Sequence, residues 1–122
     1  FSGFIEPENM PLMYQISDCL VVPSIWEEPF GVVALEGMAS SLPLIVTNSG
    51  GLMEIVDDKC AFVVNKEQDI VNNLTVKMDE MMINREKSKK MGEYGRECVV
   101  ENPEYDSKKY FLNFLKKIDR SI

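Results

Sequence analysis

The sequence predicts an α/β fold, specifically a Rossmann-like, three-layer αβα domain built on a parallel sheet. Short apolar runs alternate with helical patterns along the 122 residues, which is typical of βαβ units. The run at residues 18–23 (DCLVVP) is apolar without alternation, as expected for a strand covered on both faces. With 45% hydrophobic and 27% charged residues, the chain fits one compact core, so residues 1–122 are predicted to form a single domain.

The predicted elements follow one another at short intervals. Strands are expected at residues 1–5, 18–23, 43–47 and 61–65. Helices are expected at 10–16, 31–40 and 52–56, the first with a proline near its first turn. From residue 69, apolar side chains recur at spacings near three and four, which predicts one long helix and a second at 86–100. Asn102 and Pro103 break the second, and a terminal helix is predicted at 106–118.

The composition excludes several classes of function. A formal net charge of -7 argues against a nucleic-acid-binding surface, which needs a basic face to neutralise phosphates. No histidine is present, and Cys19, Cys60 and Cys98 have no CxxC spacing, so the sequence predicts neither a metal site nor a disulfide framework. A catalytic base must therefore be a carboxylate or a thiol, or come from another segment.

The cellular location is predicted from the apolar runs and the first residues. The apolar runs are far shorter than the ~18 residues of a membrane span, and the opening does not resemble a signal peptide. We therefore expect a cytoplasmic protein, and a start at Phe1 is expected for a piece of something longer. The late lysines are interpreted first as solvated helix faces, and second as a peripheral contact with anionic lipid headgroups at the inner face of the membrane.

The segment from Pro23 to Glu54 carries most of the functional information. A buried strand ends at Ser24, an acidic loop follows, and a helix begins near Gly31. Open α/β sheets bind ligands at the carboxyl ends of their strands, and the free N–H groups and dipole of a helix start attract anions. Gly31 lets a diphosphate approach the backbone closely. This helix start is therefore a predicted phosphate site.

Glu28 and Glu36 lie on either side of the predicted helix start. Eight helical residues span at most about 12 Å, which is of the order of the distance from a sugar, past two phosphates, to a ribose. A carboxylate accepts hydrogen bonds from two adjacent hydroxyls, so Glu36 suits a ribose diol and Glu28 suits a pair of hexose hydroxyls. Glu28 also suits the stabilisation of positive charge at an anomeric carbon, which makes it the candidate catalytic residue. The alternative is a chance pair, with Glu36 pointing to solvent.

A second strand exit lies beside the first. Gly50 and Gly51 follow a predicted parallel strand and precede a short helix, so they offer a second approach point for a phosphate or a sugar. The alternative is a purely structural turn, for which a glycine pair is common. Glu54 is ambiguous, because it is also suited to cap or brace the loop.

In combination, these residues resemble retaining glycosyltransferases of the GT-B fold, in glycosyltransferase family four (group 1). The similarity covers about half of the chain, and the E-x7-E pair of that family matches Glu28 and Glu36. The resemblance implies the C-terminal, donor-binding domain of an enzyme that transfers a hexosyl group, with retention, from a nucleoside-diphosphate sugar such as UDP- or GDP-hexose. It implies no cofactor and no obligatory metal, and a role in cell-surface polysaccharide or glycolipid biosynthesis. Together with backbone contacts to the sugar donor from residues 30–33, it gives these predicted substrate-binding residues: Ser24, Glu28, Phe30, Gly31, Val32, Val33, Glu36, Gly50 and Gly51.

Some features depart from the family pattern. Gly37 stands where alanine is usual and Ser41 where glycine usually ends the helix, so we expect a weaker helix and another terminating geometry. The cations that grip the diphosphate and the N-terminal acceptor domain lie outside the chain, so this fragment alone is expected to be inactive. Two strands are also expected to be missing. Their loss leaves residues 1–5 without a neighbour and makes residues 18–23 an exposed sheet edge, which either a second copy, in a homodimer, or the first strand can cover.

Two other functions are compatible with the pattern. One is a noncatalytic α/β nucleotide-binding or interaction module, in which the two acids are incidental. The other is a related GT-B enzyme such as a sugar epimerase or a phosphorylase, which the PFG and E-x7-E context disfavours. Replacing Glu36 by alanine separates the module from the transferase, because the module would keep its affinity for nucleotide sugars.

Overall fold

The computed structural model describes residues 1–106 and 116–117 and contains a three-stranded parallel sheet flanked by helices. The strands are β1 (Leu20–Val22), β2 (Leu44–Thr47) and β3 (Ala61–Val64), in the order β1-β2-β3. A short 3-10 turn at Pro7–Asn9 leads into the first helix. The helices are α1 (Met10–Ile16), α2 (Val32–Ala39), α3 (Leu52–Ile55), α4 (Ile70–Ile83), α5 (Arg85–Val100) and α6 (Pro103–Asp106). The predicted α/β class and parallel sheet are confirmed.

Apolar side chains cover both faces of the sheet. On one face, Leu44 and Val46 of β2 pack in a cluster that includes residues of α1, α2, α3 and α5. On the other face, Ile45 packs with Met81 of α4 and with Val64. All four residues of β2 are buried, because this strand is central in the sheet and has a helical layer on either side. The αβα layering predicted from the apolar runs is therefore present.

Strand β1 forms one edge of the sheet. It pairs in parallel with β2, and Leu20 is opposite Leu44. In the part of the chain that the structure describes, β1 has no second strand partner, which confirms the predicted edge. The strand covers three of the six residues predicted for it.

The strand predicted at residues 1–5 is wrong. These residues have no regular secondary structure, residues 1–4 are exposed, and Gly3 has a left-handed φ of 69°. A strand needs a neighbouring strand to satisfy its N–H and C=O groups, and none pairs with residues 1–5 among the described residues. The apolar pattern FSGFI was therefore not enough to define a strand.

Close packing against β1 explains Gly37, the first departure from the family pattern. A Cβ atom at this position would lie 2.5 Å from Cδ2 of Leu20 and 3.1 Å from Cδ2 of Leu44. The glycine therefore lets α2 approach the sheet where Leu20 is bulky. Glycine has a lower helix propensity than alanine, and this close packing explains why it is nevertheless present at position 37.

Ser41, the second departure, ends α2 in a way that differs from our expectation. The predicted alternative geometry is wrong, because Ser41 itself adopts the left-handed conformation, with φ of 60°. Its N–H donates to the Met38 carbonyl, and the Leu42 N–H donates to the Gly37 carbonyl, both at 3.0 Å. These two bonds are the Schellman motif that normally uses glycine at this position. Serine keeps the motif at the cost of an unfavourable backbone conformation.

We expect Ser41→Gly to stabilise the chain by about 1 kcal/mol, because glycine adopts the left-handed conformation without a Cβ clash. The free energy of unfolding, measured in urea, tests this. Ser40→Gly is the matched control, since Ser40 has a φ of -88° and its hydroxyl bonds to the Glu36 carbonyl at 2.8 Å. The control should lose stability, and a gain of the same size in both variants would contradict the explanation.

Helix α5 crosses the end of α2 at very short range. A Cβ atom at Gly92 would overlap the carbonyl oxygen of Ser41, and Arg96 donates to the carbonyl of Ala39. At Gly95, one turn further on, a Cβ atom would make ordinary contacts of 3.4 Å with Cys60 and Met38. Gly92 therefore sets how closely α5 lies over the α2 terminus.

The C-terminal helix predicted at 106–118 lies largely outside the described residues. Asp106 is the last residue of α6, and residues 116–117 are helical. Among the residues with described structure, no helix is both long and apolar enough to cross a membrane.

Candidate functional site

The site lies where the three strands end. The loop after β1, residues 23–31, is here called the acidic loop. Its Ser24 carbonyl accepts hydrogen bonds from the Thr47 hydroxyl at 2.6 Å and the Ser49 hydroxyl at 2.8 Å. Both hydroxyls come from the end of β2 and are fully buried. The first two strand exits are therefore joined beneath the predicted site.

The carboxylate of Glu28 is held by two side chains of its own loop. The Ser24 hydroxyl and the Trp26 indole N–H both donate to Oε1, each at 2.9 Å. Ser24 is 3% exposed, whereas Trp26 is 62% exposed, so the carboxylate lies between the sheet and the surface. Ser24, predicted to touch substrate, is positioned to orient Glu28.

Glu36 lies inside α2 and is 7% exposed, so the alternative in which it points to solvent is wrong. The Tyr14 hydroxyl of α1 donates to its Oε2 at 2.7 Å. This hydrogen bond satisfies part of the need of a buried carboxylate for donors. Tyr14 is itself buried, so the position of Glu36 is fixed by the packing of α1 on α2.

Helix α2 begins at Val32, one residue later than predicted. Gly31 is the N-cap residue, with a left-handed φ of 67°, and its carbonyl accepts from the Ala34 N–H at 2.9 Å. A Cβ atom there would lie 2.9 Å from Leu52 and 3.0 Å from Ile55. Gly31 is therefore required by the backbone and by the packing of α3. The amides of Val32 and Val33 belong to the first helical turn, where N–H groups have no acceptor within the helix.

The glycine pair after β2 packs against the acidic loop. The Gly51 N–H donates to the Glu28 carbonyl at 2.6 Å. A Cβ atom at Gly51 would lie 2.8 Å from the Pro29 carbonyl oxygen and 3.0 Å from the Phe30 nitrogen. Gly50 has a φ of 39°, and a Cβ atom there would lie 2.5 Å from the Glu28 carbonyl oxygen. The pair therefore allows two loops to touch, which gives it a structural role at the edge of the site.

The third strand exit joins the same loop through an ion pair. Lys66, just after β3, pairs with Glu27 of the acidic loop. The hydrogen bond from Lys66 and its positive charge hold the pKa of Glu27 below its usual range. Glu27 therefore keeps its negative charge, and the pair stays formed, at pH values below those at which an ordinary glutamate is protonated.

Cys19 and Cys60 are not suited to act as nucleophiles. Burial raises the pKa of the Cys60 thiol to about 11, and burial also raises the pKa of Cys19. Both thiols are therefore protonated and weakly nucleophilic at neutral pH. Among the described residues no cluster of histidine, cysteine and acidic side chains is suited to hold a metal ion.

Several residues of the site were not predicted from the sequence. Tyr14 and Lys66 reach the acids from 22 and 39 residues away, so no local pattern marks them. Trp26 is two residues from Glu28 and is the one tryptophan of the sequence, which was an available but unused signal. Thr47 also had a signal, as a hydroxyl residue at the end of an apolar strand.

The chain is similar to several known proteins in sequence and in structure. Spore coat protein SA of Bacillus subtilis is 30% identical over 103 residues, which are 84% of this chain and 27% of that protein. The structure of sucrose-phosphate synthase from Thermosynechococcus elongatus superposes with a TM-score of 0.79 at 29% identity, over 99% of this chain and 29% of that one. Anabaena HepE, solved in complex with UDP and glucose, superposes with a TM-score of 0.76 at 19% identity over 99% of this chain and 30% of that one. This last similarity supports the fold alone.

The chain thus spans less than a third of each of these proteins. The predicted α/β fold of a GT-B glycosyltransferase fragment is confirmed by the parallel sheet and by these superpositions. The family model described as "Glycosyl transferases group 1" matches residues 1–98, which include the acidic loop, both glutamates and the glycine pair. The chain therefore belongs to the group 1 family of glycosyltransferases.

Proposed function

We propose that this chain is the donor-binding part of a retaining glycosyltransferase that takes a hexosyl group from a nucleoside-diphosphate sugar. The observation that carries the proposal is the buried carboxylate of Glu36, which lies in the helix that follows the acidic loop and accepts a hydrogen bond from Tyr14. A carboxylate accepts hydrogen bonds from two adjacent hydroxyls, and a ribose diol presents such a pair.

Glu28 is proposed to act at the sugar. Its Oε1 accepts from Ser24 and Trp26, and within the described part of the chain these two bonds leave Oε2 to accept from a sugar hydroxyl. The same negative charge stabilises the positive charge that develops at the anomeric carbon as the bond to the diphosphate breaks. The amides of Val32 and Val33 at the start of α2 are proposed to receive a phosphate, with Phe30 and Gly31 lining the approach.

The complete enzyme is proposed to need more than this chain. A second domain would supply the acceptor contacts, and cations from outside the chain would complete the diphosphate site, so the chain alone would not turn over. We propose a cytoplasmic enzyme, working at the inner face of the membrane in cell-surface polysaccharide or glycolipid biosynthesis. The name of the spore coat relative, which refers to a surface layer, supports that setting.

Two substitutions in the complete enzyme test the two roles separately. We expect Glu36→Gln to weaken binding of UDP or GDP and of the corresponding hexose nucleotides equally, by at least about tenfold, because one charge-assisted hydrogen bond contributes roughly 1.5–3 kcal/mol. We expect Glu28→Gln to weaken binding of the hexose nucleotide and to slow transfer, while the affinity for the free nucleoside diphosphate stays unchanged. Isothermal titration measures the affinities.

Glu54→Gln is the control, because Glu54 is an exposed acid on the neighbouring α3. Unchanged nucleotide affinity in Glu36→Gln would refute the ribose role and would favour the noncatalytic module. Equal losses for free nucleotide and sugar nucleotide in Glu28→Gln would refute the assignment of Glu28 to the sugar.

A further inference from the structure

One carboxylate connects the exits of all three strands. Glu27 belongs to the acidic loop after β1, and it pairs with Lys66 after β3. Gly50, which follows β2, lies beside the same carboxylate, since a Cβ atom at Gly50 would lie 3.1 Å from its Oε2. The exits of β2 and β3 thus both contact the residue that immediately precedes Glu28 in the loop after β1.

Lys66 is fixed at both its backbone and its side chain. Its N–H donates to Oδ1 of Asn48 at 2.9 Å, which ties the β3 exit to the β2 exit. Its side chain is 11% exposed, whereas the Glu27 side chain is 72% exposed. Most exposed ion pairs contribute little to stability, but here the side chain of one partner is mostly buried, which limits where its ammonium group can lie. The acidic loop is therefore paired with a cation whose position is restricted by the surrounding structure.

The connection leads directly to the proposed sugar contact. Glu27 precedes Glu28, and the carbonyl of Glu28 is bonded to Gly51 at 2.6 Å. The Glu28 carboxylate is oriented only by side chains of the same loop, Ser24 and Trp26, as far as the described residues show. A shift of the loop around Glu27 therefore moves Glu28 relative to Ser24, which stays bonded to the end of β2, while Glu36 stays in α2 with Tyr14.

We propose that Lys66 is a positioning residue for the sugar end of the nucleotide-sugar site, acting through Glu27 to hold the acidic loop and Glu28. The role rests on the proposed function, since it concerns how Glu28 meets a hexose. Lys66 does not itself contact the sugar donor. It pairs with Glu27 and thereby limits the positions that the carboxylate of the next residue, Glu28, can take.

Kinetics and binding of the complete enzyme provide the first test. We expect Lys66→Met to raise the KM for the sugar nucleotide about tenfold, which is the size of one misplaced hydrogen bond of about 1.4 kcal/mol, and to leave the affinity for free UDP or GDP within about twofold. Glu27→Gln should have the same effect, and the double variant should be no worse than either single one, because both break one interaction. Lys66→Arg should restore most of the loss.

Lys90→Met is the matched control, because it breaks an exposed ion pair of 3.3 Å with Glu86 on α5, away from the strand exits. An unchanged KM in Lys66→Met would overturn the proposal. So would additive effects of the two single changes, or equal losses for free nucleotide and sugar nucleotide with a lowered melting temperature, which would show a general structural role.

A second test needs no ligand and is independent of the proposed function. Trp26, the one tryptophan of the sequence, lies in the acidic loop and reports its conformation by fluorescence. We expect Lys66→Met and Glu27→Gln to change the emission maximum and acrylamide quenching of Trp26, and to speed hydrogen exchange at the Gly51 amide. Lys90→Met should change neither. If the wild-type enzyme binds no nucleotide sugar but these signals change, the proposed function fails and the loop contact stands. If the signals stay unchanged, the positioning role itself is refuted.

Discussion

Gly92→Ala is expected to destabilise the chain by about 3 kcal/mol, although alanine is normally the better helix residue. Gly92 lies inside α5, where the change by itself would add up to about 1 kcal/mol of helix stability. A Cβ atom there overlaps the carbonyl oxygen of Ser41, however, and a backbone atom cannot rotate away as a side chain can. Overpacking of this kind typically costs about 1–3 kcal/mol and more where the neighbour is rigid. Urea denaturation followed by circular dichroism measures the difference.

Gly95→Ala is the matched control for this prediction. Gly95 lies on the same helix, three residues further on, and its added Cβ would make ordinary contacts with side chains at 3.4 Å. We expect this variant to be as stable as the wild type or more stable, by up to about 1 kcal/mol. The two changes should thus have opposite signs. Similar effects in both would show that contact with the α2 terminus does not determine the requirement for glycine at position 92.

Gly51→Ala is expected to displace the acidic loop and to lower the free energy of unfolding by about 2 kcal/mol. Gly51 has an ordinary helical φ of -61°, so backbone strain plays no part. The added Cβ would lie within 3.0 Å of three backbone atoms of the acidic loop, in Glu28, Pro29 and Phe30. Either the loop moves or the hydrogen bond from Gly51 to Glu28 breaks, and both disturb the predicted sugar site.

The fluorescence of Trp26 and the unfolding free energy measure these two consequences in one sample. In the complete enzyme, we also expect weaker binding of the sugar nucleotide, by tenfold or more, since about 1.4 kcal/mol corresponds to a factor of ten. Gly95→Ala is again the control, because it makes the same chemical change far from the loop. A variant with unchanged Trp26 emission and wild-type stability would show that the two loops can separate freely.

Much of the fold was predictable because local pattern and tertiary position agree. Helix α1 has the bounds predicted for it, and β2 and β3 each lie within their predicted segments. The helix boundary between α4 and α5 falls at Asn84, whose side chain accepts from the Lys87 N–H at 3.2 Å and caps α5. These features depend on contacts within a few residues, so a sequence displays them.

The errors arose where distant residues decide the local structure. Residues 1–5 have a strand-like composition but no strand beside them among the described residues, and composition carries no information about a neighbour. Ser41 takes a conformation that favours glycine, and a sequence rule based on residue preference predicts another ending. In the site, Glu28 and Glu36 stood out by their spacing, whereas their surroundings did not, because Tyr14 and Lys66 reach this region from other elements.

The acidic loop also sets a condition for engineering. Its shape depends on hydroxyls at the end of β2, on the glycine pair that follows, and on a lysine after β3. A chimera that exchanges residues 23–31 with those of a relative would therefore carry the new loop into contacts that belong to the old one. An exchanged loop should keep its own conformation only when residues 47–51 and 66 are transferred together with it.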